Sequence, residues 1–171
     1  MPYFAAVLAR DASGWSGEEV DLKGVDDLDG LVEEMRGVHD DAQTLLLFVE
    51  EDDEWFAAVR VDGDSDPRVF LSDGRATATS ELAALLAEAA EVAEPIDDDA
   101  EEPGAADEDE EEAVQPAGEP IGDADLLTDL GTPAARLLAL CAEEGQLPAD
   151  IVTALCERAG CGEALDALRI A

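Results

Sequence analysis

The stretch TLLLFVEEDDEWFAAVRV, residues 44–61, decides the fold. Thr44 to Glu50 is an unbroken apolar run of strand length, the kind that sits buried in a sheet. The acidic tip Glu51-Asp52-Asp53-Glu54 cannot be buried and reads as a turn. Beyond it, Trp55, Ala57, Val59 and Val61 fall on one side of an extended chain, and Phe56, Ala58 and Arg60 on the other. Two strands joined by a short polar tip make a hairpin, and a hairpin implies antiparallel pairing.

Working outward, Asp62 to Pro67 is a turn, and Arg68 to Leu71 is a short further strand that extends the hairpin into a meander, closed by Asp73-Gly74. A helix follows, with Leu82, Leu85, Leu86, Ala89 and Val92 on one stripe. On the N-terminal side, Leu28, Leu31, Val32, Met35 and Val38 recur at helical spacing, with Asp26 and Asp27 placed to accept from the free N–H groups at the start. Before that, Tyr3 to Arg10 is an apolar strand, and Trp15 to Leu22 is its hairpin partner across the turn-rich Asp11 to Gly14. The order β-β-α-β-β-β-α describes an α+β domain over residues 1–93, an antiparallel sheet with two helices on one face in two layers.

Residues 94–125 differ in kind. They hold fifteen acids, no Lys or Arg, and Pro95, Pro103, Pro116 and Pro120. Asp107 to Glu112 is an uninterrupted acidic run, with too little apolar area to offset the entropy of ordering. This segment is expected to be a disordered, extended linker; its functional alternative is an acidic tether that competes for a basic groove. Residues 126–171 read as a small helical module. Gly131 ends a first turn, Pro133 opens a helix with Leu137, Leu140 and Cys141 inward, and Gly145 stops it. Pro148 opens the next, with Ile151, Leu155, Cys156 and Ala159 inward, and Gly160 ends it. So small a module has little core of its own, and docks either on the first domain or on a partner.

Charge bounds the function. Forty-five acids against nine bases give a formal net charge of -36. Phosphate binding needs Lys and Arg to displace counterions, so direct nucleic-acid binding is disfavoured, whereas a basic protein is attracted and steered. Solubility of an alanine-rich chain is the plainer reason for the same acidity. No stretch approaches the ~18 apolar residues of a membrane helix. Met1-Pro2-Tyr3-Phe4 lacks a basic leader, and three cysteines late in the chain are no disulfide framework. The expected location is the cytoplasm. Arginine-rich, lysine-poor usage fits a high-GC bacterium.

Reactive centres are harder to find. A closed zinc site needs four ligands in tight pairs, but Cys141, Cys156 and Cys161 are widely spaced and His39, the only histidine, lies in the other domain. Cys141 and Cys156 fall on core stripes; Cys161 follows a glycine and is the one expected to be exposed. Ser13-Gly14-Trp15-Ser16-Gly17 resembles a catalytic serine loop superficially, but its glycines suit a hairpin turn. His39, just past a helix C-terminus, is favoured there as a cation by the helix dipole. Carboxylates are too abundant for any pair to carry a signal. The helical pair 133–160 has only Arg136 and Arg158 as bases, too few for a DNA-reading helix. No catalytic residue, cofactor or metal is expected, and the chain is read as not an enzyme. Arg60, Arg68 and Arg75 are half of the first domain's six basic residues. They serve either in ion pairs with neighbouring Asp and Glu or as a recognition patch for partner carboxylates.

Several of these segments together resemble one family. Tyr3 to Arg10, Trp15, the Leu28 to Arg36 helix, Leu46 to Phe56, Arg68 to Asp73, and Leu130-Gly131-Thr132-Pro133 with its following leucines are similar to the actinobacterial tRNA adenosine deaminase-associated proteins. The likeness spans nearly the whole chain except the acidic linker. It implies association with a zinc enzyme that converts adenosine to inosine at the tRNA wobble position, a link made largely through gene proximity. The chain itself is not that enzyme: such deaminases need a His-x-Glu and a Pro-Cys-x-x-Cys pair, whereas His39 precedes Asp40-Asp41 and no Cys-x-x-Cys exists. Three functions remain open: an accessory subunit of a tRNA adenosine deaminase, an acidic nucleic-acid mimic that binds another basic protein, and an enzyme of unrecognised type.

Overall fold

The computed structural model describes residues 3–39, 42–51, 54–63, 67–78, 80–93, 120–143 and 145–170. Through residue 93 these hold β1 (Tyr3–Asp11), β2 (Gly14–Glu19), α1 (Leu28–Val38), β3 (Thr44–Glu51), β4 (Trp55–Asp62), β5 (Arg68–Leu71) and α2 (Glu81–Ala93). This is the expected β-β-α-β-β-β-α order, with a 3-10 turn Gly74–Ala78 added before α2. After the acidic segment come β6 (Ile121–Gly122), a 3-10 helix Ala124–Leu130, α3 (Ala134–Ala142), α4 (Pro148–Ala159) and α5 (Gly162–Ile170). The class is α+β.

Local chemistry explains the punctuation. In the β1–β2 turn, the Asp11 carboxylate accepts from the Ser13 N–H at 2.8 Å, and Gly14 takes φ +122°, a left-handed conformation that costs a side chain dearly. At α1, Asp27 is the N-cap, accepting from the Gly30 N–H at 2.9 Å. Gly160 ends α4 at φ +97°, its N–H bonded to the Cys156 carbonyl.

The strands form one antiparallel sheet in the order β2-β1-β3-β4-β5-β6. Its register sets Leu47 of β3 opposite Val7 of β1 and Val59 of β4. That file faces α1 and α2, where Leu31, Met35, Ala83 and Leu86 cover it. Both helices therefore lie on one face, as expected.

The opposite face is also buried. Leu8, Leu46, Phe48, Phe56, Ala58 and Phe70 pack against Leu126, Leu127, Leu137, Ile151, Leu155 and Leu165. The C-terminal module thus docks on the first domain, and the expected two layers are three. The physical reason is in β3 and β4, whose side chains are apolar on both sides and need cover on both. Of the segment read as a linker, residues 94–119 lie outside the described residues. Its end joins the sheet: Ile121 and Gly122 pair with Leu71 and Phe70, and the Asp123 N–H reaches the Val69 carbonyl at 2.8 Å.

Candidate functional site

Alternation along β4 turns Arg60 toward the second face, where it is only 6% exposed. A guanidinium so placed must find acceptors. Its Nη1 donates to Asp129 Oδ1 at 2.6 Å and to the Leu126 carbonyl at 2.7 Å, its Nη2 to Asp129 Oδ2 at 3.0 Å, and its Nε to Asp62 at 3.1 Å. The paired Arg60 holds the Asp129 carboxyl below its ordinary range, and Asp129 in turn raises Arg60 further. Arg68 on β5 donates to Asp123 Oδ2 at 2.7 Å. Two of the three meander arginines therefore clamp the returning 123–129 segment onto the sheet. Arg75 makes a local pair with Asp73, two residues back, at 3.1 Å, and its side chain is 63% exposed.

A third clamp has a partner that the sequence does not indicate. Glu50, 6% exposed in the apolar run of β3, is gripped by both terminal nitrogens of Arg169 on α5. The Arg169 guanidinium also lies 5.0 Å from the Phe4 ring, a favourable cation–π arrangement. A carboxylate inside an apolar strand was the sequence signal; its partner is 119 residues away. Other arginines are likewise used internally. Arg10 stacks 5.9 Å from Trp15, Arg36 donates to the Gly63 carbonyl, and Arg158 to the Gly131 carbonyl.

The carboxylates, by contrast, gather outside. An open groove of about 420 Å³ between the sheet-edge strand β2 and α1 is lined by Glu18, Glu19, Asp21, Glu33 and Glu34, together with Val20, Gly37 and Val38. No cation lines it. Backbone donation from Lys23 is the main cause holding Asp21 below its usual value.

Cys156, Cys161, His39, Tyr3 and Ser80 are in structural use. Cys156 is fully buried, and Cys161, expected at the surface, is 1% exposed. The reason is that Gly160 lets the chain reverse so that the Cys161 N–H meets the Cys156 carbonyl at 2.8 Å. The contact with Cys161, then burial, push the Cys156 thiol upward, and burial pushes Cys141 up to about 12. Neither is a ready thiolate. His39 Nε2 sits 2.7 Å from Asp11 Oδ2, tying the end of α1 to the first hairpin. A recess of about 550 Å³ collects Tyr3, Lys23, Asp26, Glu51, Ser80 and Glu81. Two of its polar groups serve the fold: the Tyr3 hydroxyl accepts from the Leu22 N–H at 2.7 Å and donates to Asp21, and Ser80 accepts from the Ala83 N–H at the start of α2. Burial is the first cause raising Tyr3 above its ordinary value. Among the described residues no three His, Cys, Asp or Glu side chains are grouped to hold a metal ion, and no helix is long and apolar enough to cross a membrane.

A family model described as Rv3753c-like tRNA adenosine deaminase-associated protein matches residues 3–162. No curated protein and no solved structure matches the chain.

Proposed function

The chain belongs to the Rv3753c-like tRNA adenosine deaminase-associated proteins, and from that membership we propose that it is a cytoplasmic, non-enzymatic accessory protein that binds a tRNA adenosine deaminase. The observation that carries the reading is the division of charge. Arg60, Arg68, Arg75 and Arg169 each pair with a carboxylate of the chain itself, so a chain of net charge -36 turns an overwhelmingly anionic surface outward. An enzyme that grips tRNA must present lysines and arginines to phosphates. A folded carboxylate surface is complementary to such a face and is repelled by the tRNA itself. The buried thiols and the hydrogen-bonded Tyr3 and Ser80 support a binding role over a catalytic one.

Co-purification of the full chain with the deaminase of the same organism at physiological salt tests this. A stable complex is expected, weakening as salt rises. No complex at micromolar concentrations rejects the reading. Arg68→Ala and Arg75→Ala in the same assay ask whether the two partly exposed arginines also meet the partner. The alternative reading, a nucleic-acid mimic acting on another basic protein, is favoured by the acidic run Asp107 to Glu112. It predicts that deleting 94–119 abolishes binding while the folded part stays intact. The deletion stops short of Ile121 because that residue belongs to the sheet.

A further inference from the structure

The longest stretch of the chain without an aspartate or glutamate runs from Leu130 to Ala142, and most of it is α3. Leu137 and Leu140 anchor this helix in the core. On the other side Ala135, Leu138, Ala139 and Ala142 are exposed and, at i, i+3, i+4 and i+7, share one face. The two large hydrophobic residues exposed among those described are Leu138, at 41%, and Leu147, at 43%. One lies on this face and the other on the loop leaving the helix. The flanking segments carry exposed Asp125, Glu143 and Asp150, besides Asp129, which Arg60 already holds, and the helix itself carries one exposed cation, Arg136, to the side of this face.

We propose that the outer face of α3, together with Leu147, is the surface on which a basic protein seats an apolar ridge, while the flanking carboxylates pair with its lysines and arginines. The proposal rests on the accessory reading above and names where that contact is made. Interface cores are depleted of charge because a carboxylate taken out of water without a well-placed partner costs several kcal/mol. On a surface as acidic as this one, the face of α3 is where water can be expelled without stranding a carboxylate. Exposed leucines in such a place mark a contact surface.

The occupant is a basic partner rather than a second copy for reasons of area and charge. A nine-residue helix is only about 13 Å long. A stable complex needs roughly 800 Å² from each side, so any occupant must also cover the acidic rim. A second copy would set Asp125, Glu143 and Asp150 against their own kind there with only Arg136 to offset them, whereas a cationic partner would pair all three.

Charge-neutral substitutions separate the apolar contact from the electrostatics. Binding of the deaminase to the full chain is followed by surface plasmon resonance, with light scattering to give the mass of the chain alone. Leu138→Gln with Leu147→Gln is expected to raise the dissociation rate at least about tenfold while leaving association nearly unchanged. Ala139→Gln, which roughens the same face, is expected to do likewise. Glu33→Gln with Glu34→Gln, away from the face, is expected to slow association only. Thermal melts confirm folding of each variant. If the wild-type chain binds the deaminase and both face variants dissociate at the wild-type rate, this inference fails and the accessory reading stands. If the wild-type chain does not bind the deaminase, both fail. A wild-type chain that dimerises, and becomes monomeric on Leu138→Gln, would assign the face to a second copy and overturn the choice of partner.

Discussion

Replacing Arg60 with methionine is expected to loosen the C-terminal module by an amount the geometry fixes within narrow bounds. Breaking a buried ion pair commonly costs ~3–5 kcal/mol because a charge is left without water or partner. That penalty does not apply in full. The Asp129 side chain is 66% exposed and Asp62 36% exposed, so both carboxylates rehydrate when the guanidinium leaves. What is lost is a charged donor to the buried Leu126 carbonyl, worth about 1.5–3 kcal/mol, and two water-screened pairs worth under about 1 kcal/mol each. Methionine, close to arginine's stem in length and shape, refills most of the buried volume that Arg60 occupies. The net cost is about 2–3 kcal/mol, which for a chain of this size is a fall of roughly 4–12 °C in Tm. The two tryptophans allow the loss to be located. Trp55 is buried under α1 and α2, whereas Trp15 packs at the end of α4, where a Cβ on Gly160 would sit 3.4 Å from its Nε1. Urea titrations of single-tryptophan versions, with Trp15→Phe or Trp55→Phe, should show the Trp15 signal moving with or ahead of Trp55 in the variant. Arg75→Met is the control, since its pair with Asp73 is local, lies in solvent and holds no distant segment. Wild-type stability in Arg60→Met, or an equal loss in Arg75→Met, would refute the clamp.

Acidification should act in two opposed phases. Asp129, Asp11 and Asp21 are all held below the ordinary value of 3.8, Asp129 chiefly by Arg60. A depressed carboxyl contributes stability that is present above its unfolded value and is lost as pH falls through its folded one. The chain's net charge of -36 works the other way, because protonation relieves repulsion. Melting temperature should therefore rise from pH 8 toward about 5 and fall below about 4, and a steady decline from pH 8 downward would contradict this. Thr132→Val removes a hydroxyl that is buried without a partner while keeping the shape, so a gain of about 1 kcal/mol in urea is expected; a loss would mean that the hydroxyl has an acceptor. A thiol reagent at pH 7.5 should find none of the three cysteines reactive within minutes in the native chain and all three in urea, whereas rapid native labelling of Cys156 or Cys161 would show that the module opens readily.

Most of the first domain is legible because its signals are local. The hairpin tip, the Asp27 cap and the helical stripes each lie within a dozen residues of the features they explain. The third layer had a local signal too. Strands that face water on one side alternate, and the run Leu45 to Val49 does not; a strand apolar on both sides needs two covers, and the module at 126–171 was the only other apolar segment available. What could not be read are features defined by a distant partner. β6 is two residues long, and nothing in Ile121-Gly122 marks it as a strand until Phe70 and Leu71 lie beside it. Arg60 looks like any arginine in a strand, and only the fold brings Asp129 to it across 69 positions.

The same distinction bears on function. A catalytic motif announces itself because bond chemistry needs several groups at short fixed spacing, such as the His-x-Glu and Cys-x-x-Cys pairs that this sequence does not contain. A docking surface needs only an arrangement of charge and exposed apolar area, and that depends on which side of each helix the fold buries. Leu137 and Leu138 are neighbours of identical chemistry; one is wholly buried and the other 41% exposed. The helical stripe assigned Leu137 to the core correctly, and the complement of that assignment, an outward leucine inside the longest acid-free stretch of the chain, becomes meaningful only once the carboxylates around it are known to face solvent. Arg60, Arg68 and Arg169 are held by carboxylates of the chain itself, so a docking surface proposed for this protein has to be sought in the charge and the apolar area that the fold leaves outside.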